Sequence, residues 1–310
     1  YLSLDGNSLR KANNFDGLRL TGALMVLVSH QFAITGRPEP LPIGPHSFGS
    51  LGVLIFFAIS GYLVASSWER DPSPFRFAAR RFLRIWPGLA VCVLLLSFLV
   101  TLSSSDDTTR YSALRYLGNL FFTGYDWSFF SSNPHKLLNG PLWTIRYEVL
   151  CYLLFAIVAL IFGKKLQVCV IPLVLTIIGT FFFFGGQQAI EKIQGWLFLP
   201  FFGSFFGMGV ILQIYPMIRR YWWVMVAIGC LFIIFDQPSV GLLFLLPSLV
   251  IHIGVQSWPI FRKIELWGDL SYGIYLYAWP IQQFGFLIFS SLLSLLSLLT
   301  ISLPTSPTSA

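Results

Sequence analysis

Arg19 and His30 are ionisable side chains within one otherwise apolar segment near the start of the chain. Eleven positions separate them, so a helix places them about 20° apart around its axis and roughly 16 Å apart along it. An imidazole there can take a proton from a hydroxyl or carry a transferred group, and a guanidinium can hold phosphate. The pair therefore suggests a reaction path along the helix. A snorkelling arginine and a histidine capped by a backbone carbonyl are the structural alternative.

Four arginines precede the third apolar segment, namely Arg76, Arg80, Arg81 and Arg84. Three of them share a helix face at i, i+4 and i+8. Guanidinium groups bind phosphate through paired hydrogen bonds, so the cluster suits a phosphate-rich ligand. Arginines that anchor a helix on anionic lipid give the same pattern, and both interpretations remain open.

Glu148 is a carboxylate roughly two turns inside the fourth apolar segment, with Tyr152 one turn further along. A buried carboxylate requires a partner, which Arg146 or a histidine of another helix would supply. One interpretation is that Glu148 orients His30, and a structural ion pair is the other.

The other three histidines, His46, His135 and His252, have no partner at metal-ligand spacing. The four cysteines likewise lack such spacing. We therefore expect structural roles for these histidines and no bound metal.

The composition identifies the environment of these residues. Hydrophobic residues make up 55% of the 310 residues and charged residues 11%, with a mean hydropathy of +0.73. A soluble domain carries about 25% charged residues. The composition excludes a disordered chain, a disulfide scaffold and a soluble nucleic-acid-binding protein. It indicates an all-α polytopic membrane protein.

Apolar runs of about 20 residues can cross a bilayer, and the sequence predicts ten in a single domain over residues 1–310. They lie near 17–35, 48–67, 85–103, 141–162, 166–184, 195–215, 221–236, 239–256, 269–289 and 291–304. A short interfacial helix is predicted within the polar connection, at 111–123. Short cytoplasmic loops are enriched in Lys and Arg. The chain has 20 Lys and Arg residues. If the N-terminus lies in the cytoplasm, the inner loops hold 13 of them and the outer loops hold 5.

Five segments, in order, resemble the motifs of the bacterial membrane acyltransferase family 3. Residues 15–19 with His30 are similar to the family's opening R-x10-H helix, and 81–87 to its R-x-x-R segment. The remaining matches are 52–63, 141–152 and 270–276. Each motif alone is weak, whereas five in order along nearly the whole chain are specific.

The resemblance implies a fold of about ten helices in the bacterial inner membrane, without the esterase-like domain fused to some relatives. It implies transfer of an acyl group, usually acetyl, from cytoplasmic acetyl-CoA or another acyl-CoA. The implied acceptor is a sugar hydroxyl of a surface polysaccharide or its lipid-linked precursor. Many relatives have a histidine where this chain has Ala278, so that position has no chemical role here.

Arg19, Arg81 and Arg84 are the expected acyl-CoA-binding residues, and His30 is the expected catalytic base or nucleophile. Glu148 is expected as a second catalytic residue that holds the imidazole in its reactive tautomer. This mechanism predicts one internal cavity lined by Arg19 and His30, with Glu148 within reach of the imidazole. The residues expected to line it between Arg19 and His30 are Thr21, Gly22, Val26 and Ser29.

A transporter or flippase of lipid-linked sugars or acyl groups is the alternative function. Ionisable residues inside spans also line proton and substrate paths. The sequence shows no inverted repeat and no paired broken helices, which such proteins often carry. Release of free thiol from acetyl-CoA distinguishes the enzyme from the flippase.

Overall fold

The computed structural model describes residues 13–103, 107–125, 127–163, 198–259, 261 and 270–301. The predicted span at 166–184 and the ends of those at 195–215 and 291–304 lie outside these residues. Seven of the loop cations used for the orientation also lie outside them, namely Arg10, Lys11, Lys164, Lys165, Lys192, Arg262 and Lys263.

The described residues form ten α-helices, two 3₁₀ segments and two isolated β-bridges, which confirms the all-α class. The helices are α1 Phe15–Thr35, α2 Phe48–Arg70, α3 Pro74–Ser103, α4 Asp107–Tyr116, α5 Ile145–Phe162, α6 Phe198–Ile214, α7 Pro216–Arg220, α8 Trp222–Ile234, α9 Pro238–Gly254 and α10 Leu270–Ile301. The 3₁₀ segments are Leu117–Phe121 and Gly140–Thr144. In the described part of the chain, four helical segments are long and apolar enough to cross a membrane: Phe15–Thr35, Phe48–Arg70, Pro74–Leu102 and Gly140–Phe162.

Two predicted boundaries are wrong. The spans predicted at 269–289 and 291–304 belong to the single helix α10, because serine disfavours helix only mildly and the Ser290 hydroxyl bonds to the Leu287 carbonyl at 3.0 Å. Helix α3 begins at Pro74, since proline suits the first turn of a helix, and it contains both the predicted span at 85–103 and the helix face predicted for the arginines. The arginine cluster therefore lies within α3. The interfacial helix predicted at 111–123 is divided between α4 and the 3₁₀ segment that follows it.

Helix α2 lies at the centre of the bundle and packs against α1, α6 and α9. A Cβ atom at Gly61 would collide with the carbonyl of Phe206, and one at Gly209 with the carbonyl of Ala58. Glycine at both positions lets the α2 and α6 backbones touch, as small residues commonly do between membrane helices. Helix α10 packs against α1 and α3 and closes the bundle on the other side.

Pro280 within α10 determines how the loop before α5 is held. Proline has no backbone N–H, so the Leu276 carbonyl loses its helical donor. The Asn139 side-chain amide donates to this carbonyl at 3.0 Å, and the Cys92 thiol lies 3.6 Å from it. The loop is thereby attached to α10 where it enters the candidate site.

Candidate functional site

The His30 side chain lies in the wall of a cavity of about 660 Å³, which we call the His30 cavity. The cavity lies where α1 ends and α2 and α5 begin, and α6 and α10 complete its walls. Its volume is within the range of small-molecule sites, about 300–1,000 Å³. Imidazole, hydroxyl and aromatic groups line it, so it can hold a polar ligand.

The imidazole of His30 is positioned by Trp279 of α10. The two rings meet edge to face, with centroids 4.8 Å apart. His135 meets the same indole in the same manner, also at 4.8 Å. The indole N–H donates to the Leu137 carbonyl at 3.0 Å, which determines the orientation of Trp279. The Nδ1 atom of His30 is buried and makes no hydrogen bond with the described residues.

The loop that carries His135 is held on α10 by side-chain amides. Gln283 Nε2 donates to the carbonyls of His135 at 2.7 Å and Leu137 at 3.1 Å, and Asn133 Nδ2 donates to Gln283 Oε1 at 2.7 Å. Partial burial lowers the pKa of His135. The sequence interpretation missed this residue as a site component, although amides in an apolar context were an available signal.

His46 also lines the His30 cavity. Its Nε2 lies 2.9 Å from the Ser239 hydroxyl and its Nδ1 lies 3.2 Å from the Ser50 hydroxyl. The ring stacks on Phe201 with centroids 6.0 Å apart. Burial lowers the pKa of His46 to about 4. Both ring nitrogens are engaged, which agrees with its predicted structural role, but the ring also shapes the cavity wall.

Glu148 does not reach His30, and the expected contact between them is wrong. The Ser60 hydroxyl donates to Glu148 Oε1 at 2.9 Å, and the Tyr152 hydroxyl donates to the same oxygen. Glu148 lines a separate small cavity of about 40 Å³ together with Arg84, which we call the Glu148 cavity. The rotation of α5 directs this carboxylate toward α2 and not toward α1.

Three residues line both cavities and form the wall between them: Val53, Thr144 and Tyr275. The hydroxyls of Thr144 and Tyr275 are hydrogen-bonded to each other, and the Tyr275 hydroxyl also donates to the Pro141 carbonyl at 3.1 Å. Phe56 packs edge to face on the Tyr275 ring at 5.7 Å. No residue of α1 lines the Glu148 cavity, and Arg19 does not line the His30 cavity, so the prediction that Arg19 and His30 share a cavity is wrong for both of these cavities.

Arg19 lines neither of these two cavities. It is 4% exposed, and its Nη1 lies 3.7 Å from Asp16. Of the residues expected between Arg19 and His30, Val26 and Ser29 do line the His30 cavity. Gly22 instead packs on α2, because a Cβ there would lie 3.1 Å from the carbonyl of Gly52. The α1 stripe thus changes from helix packing near Arg19 to cavity wall near His30.

The arginines of α3 separate into two pairs. Arg76 binds both carboxylate oxygens of Asp71, at 2.8 and 2.6 Å, and Arg80 binds one of them at 2.7 Å. Hydrogen bonds from Arg76 and then Arg80 hold the pKa of Asp71 well below its usual range. These two arginines are occupied at the helix surface.

Arg81 and Arg84 face the bundle. The guanidinium of Arg81 lies over the ring of Tyr152 at 5.7 Å and that of Phe77 at 5.9 Å. Its Nε and Nη1 are buried and have no hydrogen-bond partner in the described part of the chain. Arg84 lines the Glu148 cavity. Arg81 can offer these N–H donors to an anionic group beside Tyr152, whose hydroxyl binds Glu148.

Helix α2 gives the order of these features. Ser50 lines the His30 cavity, Val53 belongs to the shared wall, and Ser60 binds Glu148. Ten residues of helix span roughly 15 Å. The two cavities are therefore stacked along the bundle axis, with imidazole at one end and guanidinium at the other. Among the described residues, no group of three or more His, Cys, Asp or Glu side chains is arranged to hold a metal ion.

The chain is similar to known proteins over nearly its whole length. A family model described as an acyltransferase domain matches residues 13–306. The chain is 32% identical to the O-acetyl transferase of Shigella phage Sf6 over 293 residues, which cover 89% of this chain and 86% of that protein. It is 27% identical to nodulation protein 10 of Rhizobium leguminosarum bv. viciae over 304 residues, 86% of this chain and 81% of that protein. No solved structure matches the chain.

Proposed function

Because the chain belongs to acyltransferase family 3 and is a membrane O-acyltransferase, we propose that it acetylates a sugar hydroxyl at the expense of acetyl-CoA. The proposed acceptor is a surface polysaccharide or its lipid-linked precursor. The proposed location is the bacterial inner membrane, with the N-terminus in the cytoplasm and the His30 cavity opening outside. The family and the acyltransfer activity were both predicted from the sequence, and both predictions are confirmed.

The observation that carries the proposal is the stacking of two unlike cavities. The His30 cavity has the size of a ligand site and presents an imidazole. On the other side of the Tyr275 wall lie Glu148 and Arg84, with Arg81 just beyond them. An acceptor and a phosphate-bearing donor that approach from opposite faces would meet at this wall.

Donor binding is assigned to the cationic end. The Nε and Nη1 groups of Arg81, which have no hydrogen-bond partner among the described residues, suit phosphate oxygens, because guanidinium binds them in a planar, charge-assisted manner. Arg84 offers a second guanidinium on the same side. We keep Arg19 as a third donor-binding residue, since it lies in the first turns of α1, at the opposite end of that helix from the His30 cavity. The Glu148 cavity is too small for a thioester arm, so donor entry requires Tyr275 to move aside.

Glu148 is assigned to this donor path. Its carboxylate accepts a hydrogen bond from the Tyr152 hydroxyl, and the Arg81 guanidinium lies over the Tyr152 ring. Glu148 therefore positions the aromatic platform on which the guanidinium rests. This assignment replaces the contact to His30 expected from the sequence.

The reaction itself is assigned to His30. Acting as a base, its imidazole takes the proton of the acceptor hydroxyl while the oxygen attacks the thioester carbonyl carbon. The new C–O bond forms, the C–S bond breaks, and the proton passes to the departing sulfur to give free coenzyme A. In the covalent alternative the imidazole carries the acetyl group between two such steps. In both cases Trp279 holds the ring at the cavity wall.

The test is release of free thiol from acetyl-CoA by the purified protein in detergent, with a glycan fragment as acceptor. Wild-type protein should release thiol in step with acetylated glycan. His30→Ala should lower the rate by about 10²- to 10⁴-fold, the usual contribution of a general acid or base. His252→Ala is the matched control, because His252 stacks on Trp222 at 4.1 Å and does not line the His30 cavity. A flippase would release no thiol, and an active His30→Ala protein would remove this residue from the chemistry.

A further inference from the structure

Arg146 joins the His30 cavity to a second space in the bundle. It lines the His30 cavity and also a groove of about 520 Å³, which we call the side groove. The other residues that line the side groove are Phe121, Phe122, Thr123, Tyr147, Val149 and Leu150. These are mostly apolar, and Phe121 is 81% exposed. An apolar groove therefore adjoins the polar cavity, and the Arg146 side chain lies at the boundary between them.

Within the described part of the chain, the guanidinium of Arg146 is only partly engaged. Its Nη2 donates to the Tyr147 hydroxyl at 2.8 Å, and the group lies 4.8 Å above the same ring. Its Nε is buried and has no hydrogen-bond partner among the residues described, and no carboxylate of those residues lies within 4.0 Å of the group. Gly124, at φ 65°, leaves space beside it, because a Cβ there would lie 3.2 Å from Nη1.

We infer that the side groove and Arg146 bind an acceptor in which a phosphate links the sugar to a lipid chain. The lipid chain occupies the groove, Arg146 binds the phosphate, and the sugar extends into the His30 cavity. This inference rests on the proposed function and specifies its acceptor. It selects the lipid-linked precursor and not the finished polysaccharide.

The charges and surfaces match that ligand class. An uncompensated cation inside a membrane helix is costly, and an anionic phosphate offsets the cost. Arginine binds phosphate through its planar donors, and the flanking apolar groove removes hydrocarbon surface from contact with polar groups. A finished polysaccharide has no use for an apolar groove, and a free sugar phosphate leaves it empty. Of these three acceptors, the lipid-linked sugar is the one that uses both parts.

The test compares two acceptors that share one oligosaccharide. In one, the sugar is joined to a short isoprenoid through a diphosphate, and in the other to an alkyl chain through a phosphate-free ether. Wild-type protein in nanodiscs should show a higher kcat/KM for the diphosphate-linked acceptor. Arg146→Gln should lower the ratio of the two kcat/KM values by about 10- to 100-fold, as expected for loss of a charge-assisted contact. The ratio cancels any difference in the amount of folded protein.

Two further variants sharpen the result. Phe121→Asp places a charge in the exposed groove wall and should raise the KM of the diphosphate-linked acceptor. Arg115→Gln is the control, because Arg115 lies over Tyr125 at 4.5 Å and lines neither the side groove nor the His30 cavity. Its acceptor ratio should equal that of the wild type.

The outcomes separate this inference from the proposed function. Equal use of both acceptors by the wild type, or an unchanged ratio in Arg146→Gln, overturns the inference while acyl transfer stands. A phospholipid found in the groove together with an unchanged ratio means a structural lipid and also overturns it. If neither acceptor elicits thiol release from acetyl-CoA, the proposed function fails and the inference fails with it.

Discussion

Replacing Arg81 by lysine tests whether α3 binds the donor or merely anchors the helix. Lysine keeps the positive charge, so membrane orientation is retained. It loses the planar arrangement of donors that suits a phosphate. A change in donor affinity can therefore be assigned to hydrogen bonding and not to charge.

The structure sets the size of the expected effect. Two buried donors of Arg81, Nε and Nη1, have no partner within the described structure and are available to the donor phosphates. An ammonium group in the same place replaces about one of these two contacts. A hydrogen bond to a charged group contributes about 1.5–3 kcal/mol. Arg81→Lys should therefore weaken acetyl-CoA binding by about 10- to 150-fold.

The assay is acetyl-CoA affinity of the detergent-purified protein, measured by calorimetry and as KM in the thiol-release reaction. Arg76→Lys is the matched control on the same helix, because Arg76 is already bound to both oxygens of Asp71 at the surface. Its donor affinity should stay within about twofold of the wild type, as for a surface substitution away from a site. Equal loss in both variants, or no loss in Arg81→Lys, would refute the assignment of Arg81 to donor binding.

Three other perturbations have definite expected outcomes. Because burial lowers the pKa of His46 to about 4, the unfolded chain takes up a proton first as the pH falls. The free energy of unfolding should therefore fall by up to about 3 kcal/mol between pH 6.5 and about 4, which a falling Tm would report. His46→Gln should flatten this pH profile. Asn139→Leu should lower the free energy of unfolding by about 1–3 kcal/mol, measured by thermal denaturation, because the Leu276 carbonyl loses its amide donor. The loss should be smaller in a protein that also carries Pro280→Ala, which restores a backbone N–H. Val26→Trp should fill the His30 cavity and reduce acetyl transfer at least about tenfold, with acetyl-CoA affinity as the check on folding.

The helices were predictable from the sequence because a bilayer requires long apolar runs. The boundaries that were wrong lie where the local pattern is ambiguous. Ser290 and its neighbours resemble a turn, yet the hydroxyl bonds within the helix and α10 continues. The spacing of the arginines did predict the helical start of α3, whereas which of them bind Asp71 and which face the bundle depends on tertiary packing.

The two ends of the site were also predictable. His30 and Arg81 are ionisable residues in apolar or interfacial helices. Such residues are functional candidates because placing an ionisable group in a membrane is energetically unfavourable. The structure places His30 in a cavity wall and the Arg81 side chain toward the bundle. Glu148 was as visible in the sequence, but the partner it meets depends on how α5 is rotated against α2. No local pattern encodes that rotation.

Residues of the loops that precede α2 and α5 were missed for a related reason. His46 and His135 enter the His30 cavity only because distant side chains bind their loops, Ser239 in one case and Gln283 in the other. The first contact joins residues 193 positions apart in the sequence, and the second joins residues 148 positions apart. Arg146 was noted as a possible partner of Glu148, whereas the structure places it at the junction of two cavities.

The contact between His30 and Trp279 has a consequence for how the protein is made. The first and last described helices, α1 and α10, contribute facing walls of one cavity. Gln282 reinforces their contact by donating to the Leu27 carbonyl at 3.1 Å. During synthesis a chain acquires its N-terminal elements first, at about 5–20 residues per second. His30 therefore enters the bilayer many seconds before the indole that will hold it, and catalytic competence arrives only with the insertion of α10. A nascent chain whose synthesis is stopped before α10 should therefore be inserted in the membrane but catalytically inactive.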